Sequence, residues 1–273
     1  LGAVVQIEVV VSRDEVELIS GELWAAGVSG IEERDLPDAD DAVLLVVATE
    51  PEHLADVDTL LAGRSTTHAE ADPEQWIDAW RPYARAVRID DRIVVQPPWV
   101  APIAVAGDLV VSVDPGRAWG HGAHPSTVLA ARLMLRSGVE GRTVCDLGCG
   151  SGVLSLVAAV AGAARVVATD IDPAAVEATL ANAAVNGFEA VVEASLTPAP
   201  LLEGPFDVVV ANIGLVELRE LAGIVTGLVT TGDVVLSGLL DDQVDEIVAA
   251  FADLVEVERE LSDGWGAVRL GRT

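Results

Sequence analysis

Residues 144–153 read VCDLGCGSGV, and residues 166–172 read VVATDID. Each stretch begins with a run of apolar residues, which is typical of a buried strand. The first run enters a glycine-rich turn that opens a helix, where the backbone can approach a ligand and N–H groups are free. The second run ends on Asp170, a carboxylate that can accept hydrogen bonds from both ribose hydroxyls. Together the two stretches predict an α/β fold that binds a nucleoside.

The spacing of the glycines bears on which nucleoside binds. Gly148, Gly150 and Gly152 read G-x-G-x-G directly after Asp146, whereas a dinucleotide fingerprint needs a small residue where this chain has Val153. G-x-G-x-G is the pattern of S-adenosylmethionine-dependent methyltransferases, which have no pyrophosphate to bind. A dinucleotide and a turn without a ligand stay open as alternatives, because a short glycine motif is a weak signal. We assign Asp146 and the three glycines to cofactor binding.

Composition limits the classes of partner. The 273 residues include 44 acidic and 16 basic ones, give a net charge of −28, and contain no lysine. We expect no direct nucleic-acid binding, because phosphate contacts need clustered cations, and a basic protein partner would be attracted instead. An acidic composition without functional meaning is the alternative. No apolar run reaches the ~18 residues of a membrane span, and no signal peptide is evident. We expect a cytoplasmic monomer whose Cys145 and Cys149 are small packing residues.

The hydrophobic pattern predicts three segments. Residues 1–68 read β-α-β-β-α, which suggests a ferredoxin-like substrate-recognition domain that a last short strand could close. Residues 69–100 are a linker and a docking hairpin, with strands at 86–89 and 93–96 and aromatic packing residues. Residues 101–273 alternate strands and helices and predict a Rossmann-like parallel sheet, the S-adenosylmethionine-binding domain. Its seven strands are predicted at 143–147, 166–170, 190–194, 206–211, 234–238, 255–261 and 265–270, the last two antiparallel.

Two further motifs flank the glycine turn and carry a family resemblance. Residues 119–127 read WGHGAHPST, and residues 207–213 read DVVVANI. With the turn and the D-I-D motif at 170–172, they resemble the ribosomal protein methyltransferase family PrmA, whose motifs F-G-T-G-x-H-P-T-T, D-x-G-C-G-S-G, D-I-D and N-I-L recur in this order. The resemblance covers nearly the whole chain and is strongest from residue 76 to residue 238. It implies a class I methyltransferase fold.

The resemblance also implies roles for individual residues. Gly148 matches a position in the cofactor loop, Asp170 the ribose contact, and Thr127 and Asn212 the methionine side of the S-adenosylmethionine pocket. The implied reaction methylates lysine side-chain or N-terminal amines of large-subunit ribosomal protein eleven, a basic substrate that the N-terminal domain grips.

The chemistry of amine methylation suggests three catalytic candidates. The Asn212 carbonyl, at the end of the fourth strand of the sheet, could accept an amine hydrogen, or Asn212 could cap the next helix. The Trp119 ring could hold the methylated ammonium, or it could pack in the core. His121 could take the amine proton, or it could be a loop residue without a catalytic role. Thr127 could instead cap its own helix. We expect no metal site, although His121 and His124 are three positions apart.

The sequence departs from the family pattern near the methyl-transfer site. Trp119 stands for phenylalanine, His121 for threonine, Ser126 for the first threonine of a pair, and Gly214 for leucine. These differences bear on the substrate more than on the cofactor. They motivate two alternatives: an N-methyltransferase of another protein or a small amine, and a cofactor-binding homologue with altered catalysis.

Overall fold

The computed structural model describes residues 4–13, 15–28, 30–36, 39–51, 53–71, 84–116, 118, 120 and 122–272. The chain divides into two compact units, Leu1–Pro82 and Tyr83–Thr273. Each unit has hydrophobic core residues of its own.

The first unit is a four-stranded antiparallel sheet with two helices. Its elements are β1 (Val4–Ser12), α1 (Val16–Ala25), β2 (Gly30–Leu36), β3 (Ala39–Thr49), α2 (Leu54–Leu60) and β4 (Thr66–Ala71). The strand order is β2-β3-β1-β4. Ile7, Val9 and Val11 of β1 are buried in one cluster with residues of both helices, because alternate side chains of a strand share a face. The βαββαβ order with this pairing confirms the ferredoxin-like prediction.

The boundary after the first unit lies later than the sequence pattern indicates. The predicted boundary at residue 68 falls inside β4, which pairs with β1 as far as Ala71 opposite Val4. The pattern misses this boundary because β4 reads TTHAEA and lacks the apolar alternation of an internal strand. The compact unit continues to Pro82. The aromatic residues at 76, 80 and 83 lie outside the described residues.

A small three-stranded sheet begins the second unit. It consists of β5 (Val87–Arg88), β6 (Ile93–Gln96) and β7 (Leu109–Ser112). The antiparallel pair β5-β6 is the hairpin that the sequence predicts, whereas the sequence pattern does not predict β7, which is parallel to β6. Ile89, Ile93 and Val95 belong to the main core of this unit. The hairpin is therefore part of the second unit rather than of a separate linker.

The second unit is built on a seven-stranded sheet. Its further elements are α3 (Pro125–Arg136), β8 (Thr143–Leu147), α4 (Val153–Val160), β9 (Arg165–Thr169), α5 (Pro173–Val185), β10 (Val192–Ser195), β11 (Phe206–Asn212), α6 (Leu215–Gly227), β12 (Val229–Leu240), α7 (Val244–Ala250), β13 (Val255–Ser262) and β14 (Trp265–Gly271). The strand order is β10-β9-β8-β11-β12-β14-β13. All neighbours are parallel except β12-β14 and β14-β13. The predicted sheet and its antiparallel terminal pair are confirmed.

Helices cover both faces of this sheet. Val208 and Val210 of β11 lie in the core that includes residues of α3 and α4. Val209 and Ala211, which alternate with them, lie in the core that includes residues of α6 and α7. A strand buried on both faces reads as a continuous apolar run, which explains the sequence VVVA. Among the described residues, no helix is long and apolar enough to span a membrane.

The outermost strand, β13, is exposed and charged. Glu258 and Glu260 form ion pairs with Arg136 at the end of α3. Arg269 of β14 also pairs with Glu258, at 3.3 Å, and with Asp233 of β12, at 3.2 Å. These ion pairs connect the edge strand β13 to α3 and β14, and β14 to β12.

Candidate active site

The candidate site lies at the carboxyl ends of β8, β9 and β11. Leu147 is opposite Thr169 on one side and Ala211 on the other. The chain passes from β8 to β9 in one direction and reaches β11 in the other, so the strand order reverses at β8. Ligands of open α/β sheets bind at such a switch point. The glycine turn, Asp170 and Asn212 therefore meet at this edge.

The glycine turn has a backbone that only glycine adopts readily. Gly148, Gly150 and Gly152 have φ angles of 72°, 53° and 83°. At Gly148 a Cβ atom would lie 2.4 Å from Cγ2 of Ile213, which follows β11. The first glycine therefore allows the end of β11 to pack directly against the turn.

Asp170 holds the turn from the end of β9. Its Oδ2 accepts a hydrogen bond from Gly150 N at 2.9 Å, and its Oδ1 accepts one from Asp172 N at 3.0 Å. A carboxylate has about four acceptor positions, so each oxygen keeps capacity for a further donor. The half-buried side chain fixes the turn and can still accept hydrogen bonds from a ligand.

Asp146 lies inside β8 with no solvent exposure. Its Oδ2 accepts hydrogen bonds from N of Ser155 (3.0 Å) and Oγ of Ser155 (2.6 Å) in the first turn of α4. An acceptor at this position satisfies an N–H that lacks a partner within the helix. Burial raises the pKa of Asp146 to about 6, against the lowering effect of the Ser155 bonds. Oδ1 is buried and has no hydrogen-bond partner among the described residues. In this structure the Asp146 carboxylate binds the first turn of α4, the helix that follows the glycine turn.

Asn212 and Thr127, 85 positions apart in the chain, are in direct contact. Nδ2 of Asn212 donates to Oγ1 of Thr127 at 3.1 Å. The N-cap of α3 is His124, and the N-cap of α6 is Gly214 without a side-chain bond. Neither Thr127 nor Asn212 is therefore the N-cap of its helix. Because Nδ2 faces Thr127 as the donor, the carbonyl Oδ1 of Asn212 is the acceptor that this side chain can offer a ligand.

Trp119 and His121 lie outside the described residues, so their catalytic assignments stay predictions. Gly120 between them accepts a hydrogen bond from Oγ of Ser151 in the glycine turn. The ring of His124 meets Trp265 edge-on, with centroids 4.6 Å apart. Among the described residues, no group of three or more His, Cys, Asp or Glu could hold a metal ion.

Sequence reasoning missed the polar residues of α5 that contact the turn. Thr179 donates to the carbonyl of Gly150, and Asn182 donates to the carbonyl of Ser151, both at 2.9 Å. Both side chains are buried. Their spacing of three on a helix rich in alanine places them on one face, which is the signal that could have identified them.

The two cysteines take no part in this chemistry. Cys145 and Cys149 are free thiols, and both are buried. Burial is the largest cause that raises the pKa of Cys149, to about 12, and that of Cys145 still further. Thiols that stay protonated act as small packing groups.

The strand order, the glycine turn and the acid at the end of the second strand of the sheet define a class I methyltransferase fold. The family described as ribosomal protein L11 methyltransferase (PrmA) matches residues 36–273. The chain belongs to this family.

Individual relatives carry the same description. A ribosomal protein L11 methyltransferase of Geobacter sp. (strain M21) is 41% identical over 202 residues, which cover 71% of this chain and 66% of that protein. One of Sorangium cellulosum (strain So ce56) is 35% identical over 263 residues, covering 91% and 83%. The crystal structure of a ribosomal protein L11 methylase from Lactobacillus delbrueckii subsp. bulgaricus is 29% identical. It matches with a TM-score of 0.64 and covers 69% of this chain and 99% of that one. Against the Geobacter relative, the chain spans just under two thirds of that protein's length.

Gly148→Ala should destabilise the protein more than Gly187→Ala. Both glycines have a positive φ, 72° and 75°, but a Cβ atom at Gly187 meets nothing within 4 Å. We expect about 1 kcal/mol of backbone strain in each variant. Gly148→Ala should lose roughly 1–3 kcal/mol more, because its methyl group overlaps Ile213. Urea unfolding measures both losses, and equal values would contradict the close approach of Ile213.

Asp146→Asn should change the pH dependence of stability. Because the folded pKa is raised above the unfolded one, this carboxyl group contributes less stability as pH rises from about 4 to about 6. The free energy of unfolding of Asp146→Asn, relative to the parent, should therefore rise by about 1–3 kcal/mol over that window and then level off.

Asp207→Asn is the matched control. Thr143 donates to the Asp207 carboxylate from its backbone and its hydroxyl, which lowers the pKa of Asp207. Its contribution is therefore complete above the unfolded pKa, and the difference from the parent should be constant from about pH 5 to 7. Urea titrations at several pH values test both variants, and a flat difference for Asp146→Asn would refute the raised pKa.

Proposed function

We propose that this protein transfers methyl groups from S-adenosylmethionine to lysine or N-terminal amines of ribosomal protein L11. Membership of the PrmA family is the observation that carries the proposal, because the family matches residues 36–273. The contact between Asn212 and Thr127 supports it. The family resemblance implies that both residues line the methionine side of the pocket, and their direct contact agrees with that role.

The residues around the turn fit an adenosyl group. The free acceptor capacity of Asp170 suits two ribose hydroxyls. Ile171 next to it is 97% exposed and offers apolar surface to a base. The turn of Gly148, Gly150 and Gly152 would carry the backbone past the ligand, with Thr127 and Asn212 on the methionine side. When bound, S-adenosylmethionine supplies a methyl group already activated by the sulfonium.

The side chains of the site must then orient a neutral amine. An ammonium ion has no lone pair, and a site that excludes water favours the uncharged amine. Oδ1 of Asn212 can accept one amine hydrogen, which directs the lone pair of the nitrogen. Trp119 as the surface for the methylated ammonium and His121 as the proton acceptor belong to this proposal.

Electrostatics supports a basic protein as substrate. A net charge of −28 attracts a cationic partner over several ångströms and repels nucleic acid. In this proposal the ferredoxin-like unit binds the ribosomal protein. A protein with such a substrate acts in the cytoplasm, and we expect it to work as a monomer.

Tritiated S-adenosylmethionine with purified ribosomal protein L11 tests the reaction directly. We expect label in L11 lysines or its N-terminus, and none when L11 is omitted. Label that enters another protein or a small amine instead would establish a different acceptor. Calorimetric binding of S-adenosylmethionine without transfer in any lysate would indicate a binding protein.

Asp170→Ala should weaken S-adenosylmethionine binding by roughly 1–3 kcal/mol, because the ribose hydroxyls lose a charged acceptor. The loss of the Gly150 contact adds to the effect. Calorimetry of the variant and the parent measures it. Asp172→Ala is the control, since the Asp172 carboxylate caps α5 through Ala174 N and has no hydrogen bond to the turn among the described residues. Unchanged affinity in Asp170→Ala would show that the ribose lies elsewhere.

A further inference from the structure

Asn182 of α5 and Asn186, which directly follows α5, bind the free edge of β7 and its extension. Asn186 accepts from Ser112 N at 2.9 Å and donates to Ser112 O at 2.7 Å. Asn182 accepts from Asp114 N at 3.0 Å and donates to Asp114 O at 2.8 Å. Each amide thus replaces the pair of hydrogen bonds that a neighbouring strand would supply.

The match between helix and strand spacing explains this arrangement. Four residues along an α-helix span about 6 Å, and two residues along a strand span about 6.6 Å. Residues 182 and 186 therefore coincide with residues 114 and 112 when the two elements run in opposite directions.

Asn182 also binds the glycine turn, and Asn186 does not. Nδ2 of Asn182 donates to Ser151 O at 2.9 Å, beside the bond from Thr179 to Gly150 O. In a trans peptide the N–H points opposite to the C=O, so a fixed carbonyl fixes the plane of the whole peptide. α5 therefore orients two consecutive peptides of the turn. The contact is close, since a Cβ atom on Gly152 would lie 2.9 Å from the Thr179 side chain.

Solvent has little access to the bonds between α5 and the turn. Asn182 is 3% exposed, and Thr179 is fully buried. Removing the Asn182 amide leaves O of the buried Ser151 without that partner, together with N and O of the half-buried Asp114. A buried polar group without a partner is costly, so we expect the turn to shift.

We propose that Asn182 is a positioning residue for S-adenosylmethionine. It acts through the backbone, by holding the peptides of the glycine turn in register with the chain that leaves β7. This inference rests on the proposed function, in which the cofactor binds at the turn. Thr179 assists from the preceding turn of the helix, and Asn186 has a structural role only.

Asn182→Ala and Asn186→Ala form a matched pair for the test. Each variant removes one amide that joins the C-terminal end of the helix to the chain at residues 112–114, but only Asn182→Ala also frees the turn. We expect hydrogen–deuterium exchange of residues 148–153 to accelerate in ligand-free Asn182→Ala, and the Kd for S-adenosylmethionine to rise about tenfold. Asn186→Ala should lower the Tm to a similar extent, with the exchange of the turn and the Kd within about twofold of the parent.

Thr179→Val keeps the side-chain shape and removes the hydroxyl donor to Gly150 O. It should raise the Kd for S-adenosylmethionine several-fold, and it tests the role of the bonds from α5 to the turn if Asn182→Ala does not fold. An unchanged Kd in Asn182→Ala or in Thr179→Val, or equal changes in Asn182→Ala and Asn186→Ala, would overturn the positioning role. A parent protein that does not bind S-adenosylmethionine would refute the proposed function instead.

Discussion

The site depends on a constraint at the exit of β8, where a turn with three glycines leaves the sheet after its last backbone bonds to Thr169 of β9. Beyond those bonds, side chains from three elements hold the turn and the helix that follows it. Asp146 accepts a hydrogen bond from Ser155 N in α4, and Asp170 accepts one from Gly150 N. Asn182 donates one to Ser151 O. Each of these contacts joins residues at least nine positions apart. The shape of the turn is therefore a property of the assembled sheet and not of the local sequence.

Much of the sheet could be predicted because its strands are buried on both faces. Continuous apolar runs such as residues 208–211, bounded by turn residues, leave few alternatives for the main-chain path. Strand β8 agrees with its predicted bounds. Strand β12 is longer than predicted, Val229–Leu240, because Thr230 and Thr231 at its start are exposed and carry no apolar signal. Where burial ends, the pattern that reveals a strand ends with it.

The parts that escaped prediction are those that tertiary contacts create. Strand β7 has four residues, and its edge partner is the side chain of Asn186, the residue that follows α5. The meeting of Asn212 and Thr127 follows from family resemblance but not from spacing, since β11 and α3 become neighbours only in the folded sheet. The pKa of Asp146 likewise depends on complete burial, which the sequence alone does not reveal.

The carboxylates on the outermost strand have a consequence for behaviour at high concentration. A sheet edge offers unpaired N–H and C=O groups on which another molecule could continue the ladder. On β13, Glu256, Glu258 and Glu260 would face like charges in any second copy that paired there, and their arginine partners already belong to the same chain. Charged side chains along this rim therefore oppose the pairing of two copies edge to edge.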